Sequence, residues 1–222
     1  MTGRLVVLTG TGTEIGKTHV AEAVLLALKG AGLRVTGLKP GVSGVGGGGV
    51  SDASRLRAAS TFHVKPFEVA LAAPVSPHRA ARMEGVTLPL EELAAAVHAA
   101  LAGADLVLVE LPGGLFTPLA NATLNADFVV RLHPDDLLLV APDRLGVLHD
   151  VLATTRAAVA ASLTIRGIVL VAPERPDAST GTNAADLRDY TSVPVLATVP
   201  RGTPLSLATT PAIALIVAAL RR

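Results

Sequence analysis

A chain of 222 residues, 50% hydrophobic and 17% charged, has material for one sizeable core and excludes a disordered polypeptide. Its 19 basic and 18 acidic residues leave a net charge of +1, which excludes the broadly basic face of a nucleic-acid binder, and four Phe, one Tyr and no Trp leave little to stack on bases. The absence of cysteine excludes disulfides, thiolate zinc sites and thiol nucleophiles. No apolar run reaches the roughly 18–20 residues needed to span a bilayer, and no basic and apolar leader precedes the first predicted strand. The expectation is one cytoplasmic domain over residues 1–222, with no membrane or nucleic-acid partner.

In chain order, residues 4–9 form the first predicted strand, with four consecutive aliphatics after Arg4. Residues 16–30 follow as a helix with Val20, Val24 and Leu28 on one face, stopped by Gly30 and Gly32. Residues 34–38 are a second strand, and the glycine-rich stretch 44–50 reads as a flexible loop. A helix over 90–102 leads into a strand at 105–110. Strands at 137–141, 167–171 and 193–199 come next, separated by helices at 147–162 and 183–190, and the apolar tail 211–222 reads as a docked helix. Continuous apolar strands alternating with helices predict an α/β fold: a mainly parallel sheet, helices on both faces, right-handed crossovers.

Between the first strand and first helix lies Gly10-Thr11-Gly12-Thr13-Glu14-Ile15-Gly16-Lys17-Thr18. Glycines let a backbone wrap closely around phosphates, and the following helix aims unpaired N–H groups and its positive dipole end at the anion. Lys17 supplies a mobile charge for the outer phosphates, and the Thr18 hydroxyl suits Mg²⁺. Gly10 and Gly16 enclose five residues, one more than the general pattern. The alternative is a glycine-rich turn with an incidental Gly-Lys-Thr, but strand, loop and helix stand in the order a phosphate loop requires.

Further polar positions punctuate the apolar segments. Lys39-Pro40-Gly41-Val42-Ser43-Gly44 closes the second strand, Ser51-Asp52-Ala53 and Ser76-Pro77-His78 follow, and Glu110-Leu111-Pro112-Gly113-Gly114 closes the strand at 105–110. Taken alone, Lys39 is a solvated lysine before a proline turn, Asp52 is a helix N-cap, and Ser76-Pro77-His78 is a turn or helix start. Glu110 resists so plain a reading, because a carboxylate closing an apolar strand beside a phosphate loop is costly without a cation. His78 is given no catalytic role, and the histidines at 19, 63, 98, 133 and 149 lack metal-ligand spacing.

Together these segments resemble the dethiobiotin synthetase family, whose phosphate loop carries the same extra residue; the resemblance is densest from Arg4 to Leu119 and thins after Asp150. It implies a cyclo-ligase reaction in which 7,8-diaminopelargonate, CO2 and ATP, with Mg²⁺, give dethiobiotin, ADP and phosphate. By that resemblance, residues Gly12, Thr13, Glu14, Ile15, Gly16, Lys17 and Thr18 hold the nucleotide, with Val171 and Pro200 at its base. Thr13, Lys17, Lys39 and Ser43 surround the γ-phosphate and carbamate, and Thr18, Asp52 and Glu110 hold the metal. Ser43, Pro74, Gly113, Leu145 and Gly146 contact the substrate, the last two across a homodimer interface.

Three departures accompany the resemblance. Gly12 stands where the family has Asp, Leu111-Pro112 replaces Gly-Ala, and Val171 occupies the position of an adenine-reading Asn, which points to relaxed nucleotide preference. Two rival readings share the phosphate loop: a nucleotide switch or partitioning ATPase, which leaves Lys39-Pro40 and Ser51-Asp52 unexplained, and a catalytically weakened synthetase relative kept for binding.

Overall fold

The computed structural model describes residues 3–45, 50–64 and 69–221; the glycine run at 46–49, part of the predicted flexible loop, lies outside them. The chain opens with β1 (Arg4–Gly10), α1 (Lys17–Gly30), β2 (Val35–Leu38), β3 (Gly41–Ser43), α2 (Asp52–Ala59), β4 (Val69–Leu71), α3 (Pro77–Glu84) and α4 (Leu90–Leu101). It continues through β5 (Leu106–Glu110), β6 (Pro118–Ala120), β7 (Thr123–Leu124), α5 (Asn125–Leu132), β8 (Asp136–Pro142) and α6 (Val147–Ala160). The last elements are β9 (Gly167–Val171), α7 (Asn183–Tyr190), β10 (Val195–Val199), α8 (Pro204–Leu207) and α9 (Pro211–Leu220).

The main sheet runs β10-β9-β8-β1-β5-β2, every pairing parallel. Burial on both faces explains why β1, β5 and β8 are near-continuous aliphatic runs. On one face Leu5, Val7, Val107, Val109, Leu137 and Leu139 pack against residues of α4, α5 and α6. Alternating with them, Val6, Leu8, Leu106, Leu108, Leu138 and Val140 pack against α1, α2 and α9 on the other. The predicted spacing in α1 holds: Val20, Val24 and Leu28 are buried in that second layer. Its stop is formed by Ala31 and by Gly32 at φ +80, with the Leu33 N–H returning to the Leu28 carbonyl at 3.1 Å.

Register then places the chemistry. Leu8 pairs with Glu110, Leu38 with Val109, Gly10 with Val140, and Pro142 with Val171. The phosphate-loop segment, Lys39, Glu110 and the turn after β8 therefore leave the sheet along one carboxyl-end edge, on either side of β1, where open α/β sheets put their ligands. The short pairs β3-β4 and β6-β7, and helix α5, were not among the predicted elements. Asp52 also needs correction as an N-cap: the cap of α2 is Ser51, whose Oγ accepts the Ser54 N–H at 3.1 Å, and Asp52 is the first helical residue.

Phe128 of α5 is the largest fully buried side chain. Phe128→Ala is expected to lower unfolding free energy by about 3–5 kcal/mol in denaturant titrations; a loss below about 1 kcal/mol would show that α5 does not anchor this layer.

Candidate active site

The loop between β1 and α1 is held in a shape that only part of its sequence would adopt unaided. Gly16 has φ +93 and Glu14 has φ +55, a left-handed conformation rare outside glycine. A Cβ on Gly16 would be strained by that φ and would lie 3.0 Å from Val171 Cγ1 on β9. Among the described residues, the main-chain N–H groups of 13–18 meet no protein acceptor, so they and the α1 dipole face open space as an anion cradle. Lys17 folds back over this loop, its Nζ donating to the Gly12 carbonyl at 2.6 Å. Its pKa is lowered to about 8, first because burial strips water from the ammonium, an effect that nearby Glu110 opposes only in part.

A second cation lies beside it. Lys39, one residue past β2, donates from Nζ to Glu110 Oε1 at 2.7 Å and to Asp52 Oδ2 at 2.5 Å. Thr18 Oγ1 donates to the same Glu110 oxygen at 2.9 Å. Burial alone would lower the Lys39 pKa, but the carboxylates of Glu110 and Asp52 outweigh it and leave it raised. Burial likewise works to raise Asp52, and Lys39 overcomes it, leaving Asp52 lowered. Glu110 is 1% exposed and its Oε2 is buried without a partner among the described residues. An unpaired buried carboxylate oxygen beside a threonine hydroxyl and a second carboxylate is a hard oxygen donor set, of the kind that suits Mg²⁺ with water completing the shell. Thus Thr18, Asp52 and Glu110 are brought together, with Lys39 bridging the two acids.

These groups line one cavity of about 750 Å³, together with Thr13, Glu14, Ile15, Gly16, Ser43, Gly113, Val171 and Pro200. Gly12 contributes its carbonyl to Lys17. Pro74 lies outside the lining, against Gly44, and Leu145 and Gly146 lie outside it at the start of α6, with Leu145 77% exposed. Ser76 and His78 pair with each other at 3.0 Å, and His98 meets the Leu132 carbonyl at 3.0 Å.

Sequence reasoning missed several residues that shape this site. Arg55 clamps Glu22 with its Nη2 at 2.5 Å and stands 3.7 Å from Asp52 Oδ1, bracing the acid that holds Lys39. Its position three residues after Asp52 on a helix was the available signal. Arg144 also lines the cavity. Asp143, 1% exposed, accepts from Gly181 N–H at 2.9 Å and Asn183 Nδ2 at 2.7 Å, fixing the turn after β8; its partners 38 and 40 residues away give no local signal.

A loop-to-helix anion cradle at the end of a parallel sheet, with an invading lysine and a hydroxyl beside a buried acid, defines a P-loop nucleotide-binding protein. Solved structures agree at the level of fold: the septum site-determining protein MinD with Mg-ADP from Pyrococcus horikoshii matches with TM-score 0.61 at 16% identity, covering 99% of this chain and 95% of that one. The ParA family ATPase from Chlorobium tepidum matches with TM-score 0.61 at 13% identity, covering 100% and 98%. A family model described as an AAA domain matches residues 4–209. Sequence relatives are more specific. The ATP-dependent dethiobiotin synthetase of Anaeromyxobacter dehalogenans is 40% identical over 199 residues, 87% of this chain and 88% of the relative. Those of Ralstonia nicotianae and Rhodopirellula baltica are 38% and 35% identical, covering 87% and 86% of this chain and 87% and 82% of theirs. The chain belongs to the dethiobiotin synthetase family.

The Lys17 shift sets a sign. Its folded pKa, about 8, lies below the unfolded 10.5, so the unfolded chain binds more protons between them and this group adds stability as pH rises through that window. The charge needed for an anion is lost over the same range. Nucleotide affinity measured in EDTA should fall several-fold from pH 7 to 9. Lys17→Met should bind at least about tenfold more weakly at pH 7, some 1.4 kcal/mol, with a flatter profile; an equally steep profile in the variant would assign the effect to another group.

Proposed function

We infer that the protein is an ATP-dependent dethiobiotin synthetase, closing the ureido ring of dethiobiotin from 7,8-diaminopelargonate and CO2 with release of ADP and phosphate. The observation that carries this reading is the convergence of Lys17, Thr18, Lys39 and Glu110 at the ends of β1, β5 and β2 in a member of that family. A single domain over residues 1–222 is consistent with both apolar layers sharing one sheet.

The chemistry asks for charge neutralisation and positioning rather than a protein nucleophile. One amine of diaminopelargonate adds to CO2, forming an N–C bond and losing a proton, and leaves a carbamate anion. A carbamate oxygen attacks the γ-phosphorus of ATP, the bond to the β-bridging oxygen breaks, and ADP leaves. The second amine then attacks the carbonyl carbon of the resulting carbamic-phosphoric anhydride; the N–C bond forms, the amine loses a proton, the C–O bond to phosphate breaks and the ring closes with release of phosphate.

The amides of residues 13–18 hold the phosphates, and Lys17 exchanges its Gly12 carbonyl for phosphate oxygens. Thr13, Lys39 and Ser43 face the γ-phosphate and carbamate, with Lys39 spreading its charge between the two anions that must meet. Thr18, Asp52 and Glu110 would hold Mg²⁺, which when bound neutralises charge on the phosphates. A carboxylate held in a preorganised cationic site gains most where charge moves in the transition state.

At the far end of the cavity Val171 and Pro200 face the base. The Val171 carbonyl is taken by the Asp143 N–H at 2.8 Å, the Ala172 N–H by the Val199 carbonyl at 2.9 Å, and Pro173 and Pro200 have no N–H. No carboxamide is among the lining residues at this edge, where the polar side chains are those of Glu174 and Arg201.

The diaminopelargonate carboxylate is assigned to the first turn of α6 of a second subunit in a cytoplasmic homodimer. At this turn one amide has a carboxylate partner within its own chain, the Leu145 N–H donating to Asp177 Oδ2 at 2.9 Å. The exposed Asp177, hydrogen-bonded first by Ser179 and then by that amide, is lowered to about 2. The exposed Leu145 beside it is apolar surface suited to a subunit contact. Pro74, outside the cavity of its own chain, is retained as a substrate contact on family resemblance alone.

Dethiobiotin should form from diaminopelargonate, bicarbonate, Mg²⁺ and ATP. Lys39→Gln should reduce kcat about 10²–10³-fold, the range for removing a preorganised charge-stabilising group, and Lys17→Ala should abolish turnover. ADP release by the unaltered protein without diaminopelargonate, and no dethiobiotin with it, would instead indicate a nucleotide switch; no ADP release at all would indicate a weakened relative.

Sub-saturating rates with ATP, CTP and GTP are expected to differ by less than about a hundredfold, some 2.7 kcal/mol. A larger preference for ATP would show that the base is read despite these missing donors.

A further inference from the structure

The turn after β5 follows directly on Glu110, and its Pro112 and Gly113 line the cavity beside Lys39 and Ser43. Its shape is not self-supporting. Gly113 has φ +67, and a Cβ there would stand 2.6 Å from Thr117 Oγ1. Pro112 has no N–H, so the only main-chain handle by which this residue can be held is its carbonyl. That carbonyl is held from beneath: Asn125, first residue of α5, donates from Nδ2 to Pro112 O at 2.6 Å and to Gly114 O at 2.8 Å. Its own N–H is fixed by the Thr117 carbonyl at 3.0 Å, closing the loop on itself.

Asn125 is wholly buried, and its Oδ1 has no partner among the described residues. A buried amide with an orphaned oxygen carries a desolvation cost, and an apolar side chain in its place would orphan the buried Pro112 carbonyl instead. Its two donated hydrogens are therefore the reason for its position, and both go to the turn that lines the site. The orientation is fixed as well, since a flipped amide would set its oxygen against two carbonyls.

We propose that Asn125 is a positioning residue for the diaminopelargonate end of the site, its carboxamide pinning the Pro112–Gly114 turn so that Gly113 meets the substrate. This rests on the synthetase reading of the cavity. The turn touches the phosphate loop at one end, where the Leu115 N–H donates to the Gly10 carbonyl at 3.1 Å, but neither Asn125 bond reaches the amides of residues 13–18, so the larger effect falls on diaminopelargonate.

The test compares Asn125→Asp, which keeps the shape but removes both donors, with Asn125→Ala. In both, kcat/KM for diaminopelargonate should fall about tenfold or more, chiefly through KM, while KM for ATP stays within about twofold. Hydrogen exchange of the amides at 113–117 should quicken in both variants while the amides of β1, β5 and β8 stay as slow as in the unaltered protein. That readout needs no turnover, so it stands even if the unaltered protein formed no dethiobiotin. Unchanged exchange at 113–117, an unchanged KM for diaminopelargonate in an active enzyme, or equal losses toward both substrates with quickened exchange throughout the sheet would overturn the proposal. Should the alanine variant not fold, the aspartate variant alone decides by the same measures.

Discussion

A buried ammonium shared by two carboxylates organises this site. Lys39 and Glu110 come from adjacent parallel strands whose register sets Leu38 opposite Val109, so a lysine after one strand and an acid ending the next are forced to meet. Glu110 is at the same time opposite Leu8, which puts the phosphate loop two residues beyond it on the other side. Removing Glu110 leaves the ammonium on Asp52 alone, whereas removing Lys39 leaves Glu110, 1% exposed, without its countercharge, the costlier change at about 3–5 kcal/mol for buried pairs. The pair is thus a poor choice for stability alone and a good one for holding positive charge where an anion has yet to arrive.

The two lysines divide the work electrostatically. Lys17, desolvated and held by a carbonyl, has its pKa lowered to about 8 and gains most from a phosphate; Lys39, held by two acids, stays cationic in all ordinary conditions. A polyanion entering between them changes partners rather than creating charge. Arg55 is tied to Glu22 and stands 3.7 Å from the outer acid, Asp52. Where β9 and β10 end at the cavity, Val171, Ala172, Pro173 and Pro200 give an apolar wall beside Glu174 and Arg201.

Much of this was legible in the sequence, for physical reasons. Strands buried on both faces need unbroken aliphatic runs, and so β1, β5, β8 and β9 announced themselves, the last with its bounds at residues 167–171 intact. The phosphate loop was legible because glycines, lysine and threonine stand at a spacing that few other structures require. The two- and three-residue strands carried no periodicity to read, and α5 hid behind paired β-branched residues at Val129 and Val130 and the absence of a Ser, Thr, Asp or Asn cap at Leu124. Asp52 looked like a cap because Ser51, the residue that performs that role, stands directly before it. Asn125 and Asp143 were invisible: their partners lie 11 to 40 residues away, and most of them are main-chain groups that any sequence supplies.

The account stands on a triphosphate taking the place that the protein's own carbonyl and carboxylates hold for it. A crystal structure with a non-hydrolysable ATP analogue, Mg²⁺ and diaminopelargonate tests this most directly. It should find the β- and γ-phosphates on the amides of residues 13–18, Lys17 released from the Gly12 carbonyl, and Lys39 turned toward the γ-phosphate and the diamine, with the metal on Thr18 and the acids. A triphosphate bound elsewhere, with Lys17 still on Gly12 and Lys39 still bridging Asp52 and Glu110, would contradict it.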